Sequence, residues 1–393
     1  MATMDENARP LDKIDNPGLK AEGQLLHDLR AEVATLLKRS QHSFPGAQPV
    51  SFARRHLQDL MQKDYYVCEK TDGIRYLLYL TKDEYDAEAV YLIDRKNDYY
   101  FIQHRNLHFP RENDDNAFHI NTIIDGELVM DHQPNGSKMP SFLVFDCLVL
   151  DGMVLMERPL DKRLAYLQQN IYKPYNRLFR RFPDELKFQA FKFVMKDMQF
   201  SYGITKMFNE VLPSLTHGND GLIFTCRETP YKCGTDEHIL KWKPADENSV
   251  DFKLMLDFPT VEPDEQDIAE GVTEPYIDYE SVPPARLLVW LGDNNNSTGQ
   301  NYADYAELYL TEDEWEELKG LGDPLPGRII ECYVDEQGRW RMSRFRDDKP
   351  NANHTSTVEK VIESIQNPVT RQMLEDTGPT IRDRWKARHG EKA

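Results

Sequence analysis

Between residues 23 and 38, Leu25, Leu26, Leu29, Val33, Leu36 and Leu37 recur at a helical period, and Pro45-Gly46 ends the pattern. From Tyr65 to Lys243 the pattern changes to short β-rich runs: YYVCEK, YLLYL, VYLIDR, YYFI, NTIIDGELVM, SFLVFDCLVL, LIFTC and HILKWK. Turn-forming pairs such as Asp72-Gly73 and Asn97-Asp98 separate these runs, and helical patterns occupy 160–172 and 202–212. Together they predict a mixed, mostly antiparallel α+β domain over 1–245.

The next stretch reads differently. Residues 257–285 hold nine acidic residues, five prolines and no Lys or Arg, which predicts an exposed acidic loop. Strands are expected again at 286–291 and 328–334, with a helix at 311–318 between them, so a small β-barrel of OB type is expected over 246–354. Val358, Ile362 and Ile365 then give a short helix. A basic tail with Arg382, Arg384, Lys386 and Arg388 follows, and 355–393 is expected to pack back on the first domain.

Composition sharpens this. A chain of 393 residues exceeds one compact core, and 40% hydrophobic and 11% aromatic residues fit folded rather than disordered protein. The opening MATMDENARPLDK is charged and lacks an apolar core, and the longest apolar stretch, 141–156, is broken by Asp146 and Asp151, so neither a signal peptide nor a membrane span is expected. Five cysteines without a CxxC pair point to reduced thiols and no structural zinc. The net charge of -19 excludes unspecific attraction to a polyanion, so any anionic substrate needs a local basic pocket.

Candidate chemistry starts at Lys70, at the end of the strand-like YYVCE and followed by Thr71-Asp72-Gly73. A neutral lysine is a competent nucleophile toward phosphorus, whereas arginine stays protonated. Alone, K-x-D-G turns up by chance in roughly one chain in ten of this length. Here five further motifs follow in order: DGELV at 125–129, FLVFDCLVL from Phe142, DGLIF from Asp220, LKWKP from Leu240 and RFRDDKPNAN from Arg344.

Each has a plain and a chemical reading. Glu127 belongs to a surface hairpin or accepts from a ribose hydroxyl. Phe145 is core by pattern, or stacks on a purine. Asp220 is a turn residue, or holds a cation together with substrate phosphates. Strand alternation puts Lys241 and Lys243 on one face and Trp242 on the other, giving either a solvated face or a phosphate site. Arg344, Arg346 and Lys349, interrupted by Asp347 and Asp348, form a solvated charge run or a binding site for outer phosphates.

The ordered series resembles the covalent nucleotidyltransferases, which comprise DNA ligases, RNA ligases and mRNA capping guanylyltransferases, and it runs from Tyr65 to Asn353. DGLIF, LKWKP and RFRDDKPNAN are most similar to capping enzymes of the fungal type, which lack an appended phosphatase. The resemblance implies a nucleotidyltransferase domain (ATP-grasp/DNA-ligase-like) followed by an OB-fold barrel. It implies Lys70 as the nucleophile that carries GMP. It also implies GTP contacts from Glu69, Thr71, Asp72, Gly73, Arg75 (ribose), Glu127, Phe145, Lys196 (purine edge), Lys241, Lys243, Arg344, Arg346, Asp347, Asp348 and Lys349. Asp220 would bind Mg²⁺ or Mn²⁺. The implied partners are GTP, 5′-diphosphate RNA, an RNA triphosphatase and the phosphorylated C-terminal domain of RNA polymerase II, in the nucleus and away from membranes. The competing expectations are an ATP-dependent polynucleotide ligase and an inactive relative that binds the phosphorylated polymerase tail.

Overall fold

The computed structural model describes residues 18–102, 107–133, 135–244, 247–293 and 301–390, so the first residues and the 245/246 boundary expected above lie outside the described part. The chain divides into two compact units, one of residues 1–243 with 371–393 and the other of residues 244–370.

The first unit contains two sheets. Eight strands form the larger, in the order Leu19–Lys20, Tyr99–Phe101, Glu88–Ile93, Ile74–Lys82, Thr122–His132, Lys138–Leu150 and Met153–Val154, with Lys192–Met195 parallel to Lys138–Leu150. Both faces of this sheet are covered. Leu78, Leu80, Ile124, Leu128 and Phe142 pack under the helix Leu160–Leu167, while Leu77, Tyr79, Ile123 and Val149 pack under the helix Gly23–Leu36. Burial on two faces explains why YLLYL does not alternate. Leu25 departs from the expected helical face: it is 51% exposed, and Leu29, Val33 and Ala34 make the buried stripe. The helix expected to stop at 172 runs on through the π-helical turn Gln168–Tyr172 into Lys173–Arg181, with Pro174 just after that wider turn.

The second sheet orders Gln199–Phe200, Tyr65–Thr71, Asn219–Cys226, Gly234–Trp242 and Ala47–Ser51, with the last pair parallel. The helix Arg371–His389 returns to this unit. Its Trp385 ring lies 5.4 Å from those of Phe200 and Tyr202, and Arg388 (2.8 Å) and His389 (2.6 Å) both grip buried Asp64. Part of the basic tail is therefore an anchor.

In the second unit, Ser249–Leu256, Ala285–Trp290, Tyr302–Leu308, Trp340–Phe345 and Ile329–Val334 close into a barrel around Val250, Phe252, Leu254, Leu287, Val289 and Ile330. The helix Thr355–Gln366, grouped above with the tail, packs Val358 and Val361 into this barrel core instead. The segment 257–285 is also more ordered than a loop. Asp264 and Asp267 form a reciprocal capping box that starts the helix Glu265–Ala269, and Thr260–Val261 pairs with Tyr276–Ile277. Acidic side chains in a first helical turn are stabilising, which a reading of composition alone overlooks. Among the described residues, no helix is long and apolar enough to cross a membrane.

Candidate active site

A cleft of about 370 Å³ opens between the two sheets of the first unit, and Lys70, Thr71, Asp72, Gly73, Arg75, Glu127, Phe145, Lys196, Lys241 and Lys243 all line it. Five separate sequence motifs thus meet in one place. Local irregularities in the sheets aim their side chains.

Lys70 ends the strand Tyr65–Thr71 with its side chain 22% exposed, and its Nζ donates to Asp220 Oδ1 at 2.6 Å. The other oxygen of Asp220 accepts from Lys243 Nζ at 2.6 Å. Asp220 reaches both amines because the ladder to the Lys70 strand loses register between Asn219 and Leu222, a bulge that turns this carboxylate into the cleft. The bulge requires glycine next to it: Gly221 has φ +141°, and a Cβ there would run into the Trp242 carbonyl. Gly73 is small for a different reason than the tight turn expected from sequence. A Cβ would meet Val129 Cγ1 at 2.7 Å and the Leu128 carbonyl at 2.8 Å, so the strands could not approach.

Phe145 is placed by another bulge, between Val144 and Asp146. Its half-buried ring carries the Arg75 guanidinium 5.6 Å from its centroid and the Lys196 ammonium at 5.5 Å. Directly behind it, Asp146 and Arg163 form a buried two-pronged pair at 2.7 and 2.8 Å.

Two expected ligand contacts are already engaged. Arg75 is 8% exposed and donates to both oxygens of Asp125 (3.0 and 2.6 Å) and to the Ala47 carbonyl. Lys196 uses three donors, on Glu127 Oε2 (3.0 Å), the Glu69 carbonyl (3.3 Å) and Thr71 Oγ1. Glu69 itself is buried, its carboxylate 3.8 Å from Lys196. Burial pushes the Glu127 carboxyl up, but the Lys196 ammonium overrides this and holds it below its ordinary value.

Among the described residues, no group of three or more His, Cys, Asp or Glu could hold a metal ion. Asp220, set against the cleft residues Lys70 and Lys243, is one partly exposed carboxylate, which suits Mg²⁺ held mainly by substrate phosphates and water rather than by a protein cage.

Arg344, Arg346, Asp347, Asp348 and Lys349 belong to the barrel unit and are paired within it. Arg344 meets Glu331 (2.7 Å), Arg346 meets Asp348 (2.9 Å) and Asp251 (3.1 Å), Asp347 meets Arg328 (2.8 Å), and Lys349 meets Asp251.

Arg95 and Tyr231 are polar cleft residues that carry no sequence signal. Arg95, in the turn after Glu88–Ile93, is exposed and lines the rim of the cleft. Tyr231 comes from the loop before Gly234–Trp242. Neither lies in one of the six motifs.

The cations also repel one another. Burial, followed by Lys70, Lys243 and Arg95, pushes Lys241 down to about 8 from an ordinary 10.5. A folded-state value below the unfolded one means that the unfolded chain binds more protons between the two, so stability rises with pH across the window from about 8 to 10.5. Lys241→Met should therefore melt above wild type at about pH 7, with the gap closing near pH 10 in thermal denaturation. A gap independent of pH would contradict the crowding of cations described here.

The mRNA capping enzyme catalytic domain family matches residues 11–245, and the mRNA capping enzyme C-terminal domain family matches residues 247–375. The chain is 55% identical over 387 residues to a Neurospora crassa mRNA-capping enzyme subunit alpha, covering 98% of this chain and 96% of that one. It is 44% identical to the Schizosaccharomyces pombe mRNA-capping enzyme subunit alpha, covering 97% and 91%. A solved mycobacterial DNA ligase D complexed with ATP and MES aligns at 15% identity and a TM-score of 0.36, over 77% of this chain and 94% of that one.

Proposed function

The chain belongs to the mRNA capping enzyme family, and from that premise we propose that it transfers GMP from GTP to the 5′-diphosphate end of RNA through a phosphoramidate on Lys70. The observation that carries this reading is the Lys70 amine, held by Asp220 in a cleft that also gathers Arg95, Lys196, Lys241 and Lys243, in a protein of net charge -19.

Bound in the cleft, GTP would lay its base on Phe145 and its ribose toward Glu127 and Arg75, with its phosphates among Lys241, Lys243 and Arg95. Lys70 must lose a proton to solvent before attack, while Asp220 Oδ1 holds its amine at hydrogen-bond distance. The Nζ–P bond then forms in line as the bond to the β-phosphate oxygen breaks, and pyrophosphate leaves with the electron pair. Mg²⁺ or Mn²⁺ on Asp220 would neutralise charge on the phosphates. In the second half-reaction, a terminal oxygen of the RNA diphosphate attacks the same phosphorus, the P–N bond breaks, and the amine of Lys70 is regenerated with a GpppN end as product.

Preference for guanine would come from Lys196. An ammonium donor suits guanine O6 and repels the adenine amino group. Its three donors are occupied by Thr71 Oγ1, the Glu69 carbonyl and the Glu127 carboxylate, so base contact requires one exchange, from one of the two uncharged partners. Arg344, Arg346 and Lys349 suit the outer phosphates of the triphosphate, which would replace their carboxylate partners.

The barrel is proposed to be of OB type. The partners proposed are a second subunit with RNA triphosphatase activity and the phosphorylated polymerase tail, and the proposed location is the nucleus. Incubation with α-labelled GTP or α-labelled ATP and magnesium, followed by denaturing electrophoresis, tests the function. Label from GTP should stay with the protein, and ATP should give at least tenfold less; preferential labelling by ATP would point to a polynucleotide ligase instead.

A further inference from the structure

Tyr231 is 6% exposed, yet its hydroxyl faces the cleft wall rather than an apolar core. It donates to Asp125 Oδ2 at 2.6 Å, accepts from the Ala47 N–H at 2.9 Å, and lies 3.4 Å from Arg75 Nη2. A hydroxyl has one hydrogen to give and two lone pairs, so it is saturated. Asp125 has no exposure, and its two oxygens are shared between this phenol and the guanidinium of Arg75. Burial first, and then the Asp125 carboxylate, push the phenol well above its ordinary value, which keeps it a donor at every working pH. Arg163 steadies the loop from behind: its Nη1 donates to the Thr229 carbonyl at 3.0 Å, and its guanidinium lies 5.7 Å from the Tyr231 ring centroid.

The donor count of Arg75 gives this network a purpose. Of five N–H groups, Nε–H and one Nη2–H go to Asp125, the second Nη2–H points to Tyr231, and one Nη1–H goes to the Ala47 carbonyl. Among the described residues, one Nη1–H is left over. An arginine locked on three sides cannot search for a ligand, so the aim of its last donor is set by the groups that lock it.

We propose that Tyr231 is a positioning residue of the cleft: it fixes Asp125, and through Asp125 the Arg75 guanidinium, so that the remaining Nη1–H meets a ribose hydroxyl of the bound nucleotide. This rests on the reading of the cleft as a GTP site with Arg75 at the ribose. Tyr231 does not touch the reacting atoms, so its loss should weaken nucleotide binding and spare the bond-making step.

The test is Tyr231→Phe, which removes one oxygen and preserves the ring. Rates of covalent guanylylation are measured across GTP concentrations in a single turnover, for wild type and variant. The expected result is a half-saturating GTP concentration about tenfold higher, the size of one net hydrogen bond, with the saturating rate within about twofold. The same pair is then run with 2′,3′-dideoxy-GTP, on which wild type should already be weakened and the variant should lose nothing further. An unchanged half-saturation for GTP overturns the proposal. So does an equal penalty on the dideoxy nucleotide, since general loosening of the cleft would not distinguish a ribose that lacks hydroxyls. If the variant melts below the assay temperature, both proteins are measured at a temperature where both are folded, with the same outcomes expected. A wild-type protein that takes no label from GTP defeats the reading of the cleft itself, separately from the role of Tyr231.

Discussion

Lys70→Arg will fold normally and form no detectable nucleotide adduct. The side chain is 22% exposed and its partner Asp220 is 23% exposed, so arginine keeps a partly solvated ion pair and stability should change by no more than about 1 kcal/mol. Chemistry is another matter. A guanidinium cannot surrender a proton at neutral pH, and without a lone pair no N–P bond forms, so labelling should fall by at least about 10³-fold. Phosphate attraction is retained, which separates this variant from one that merely weakens binding. Labelling within tenfold of wild type would mean that the nucleophile lies elsewhere.

The second large effect concerns folding rather than chemistry. Asp146 and Arg163 are a two-pronged pair with side chains 7% and 3% exposed, immediately behind Phe145. Asp146→Ala strands the guanidinium without its carboxylate, and a stranded buried charge costs about 3–5 kcal/mol. The denaturant midpoint should drop accordingly. Replacing both partners, as Asp146→Leu with Arg163→Met, should recover most of the loss, because desolvating a pair offsets much of its attraction. A double variant as unstable as the single one would show that the pair itself, and not the orphaned charge, carries the stability.

Which parts of this site could be read from the linear chain follows from how each residue gets there. Lys241 and Lys243 flank Trp242 at the end of the strand Gly234–Trp242, so the period-two pattern puts both amines in the cleft and the indole in the core, as found. Phe145 and Asp220 were legible only as motif members. What places them is a pair of bulges, and a bulge depends on register with a neighbouring strand that the local sequence does not contain. Arg95 and Tyr231 had no signal: each sits in a connection, and it matters because of what the fold brings opposite it. Gly221 is a related case. Its requirement for glycine comes from the Trp242 carbonyl on the adjacent strand.

The fold shows the same division. Helices and strands with strong periodicity appear where the pattern puts them, including the helix Glu312–Gly320, whose Thr311-x-x-Glu314 capping box is visible in the sequence. Composition misleads at 257–285, where Asp264 and Asp267 start a helix in a segment that looks too acidic and proline-rich to order. At the C-terminus, the tail is expected to pack back, but its partner has no local signal: Asp64, far away in sequence and nearly without exposure, lies beneath Arg388 and His389.

A covalent bond between one named nitrogen and one phosphorus is the claim on which the mechanism stands, and locating that bond tests it most directly. After incubation with GTP and magnesium, the protein is digested and the modified peptide sequenced by mass spectrometry. The modification should be a single guanylate on Lys70, cleaved by mild acid and stable to alkali as a P–N bond requires. A guanylate on any other side chain, or an adduct that survives acid, would contradict it.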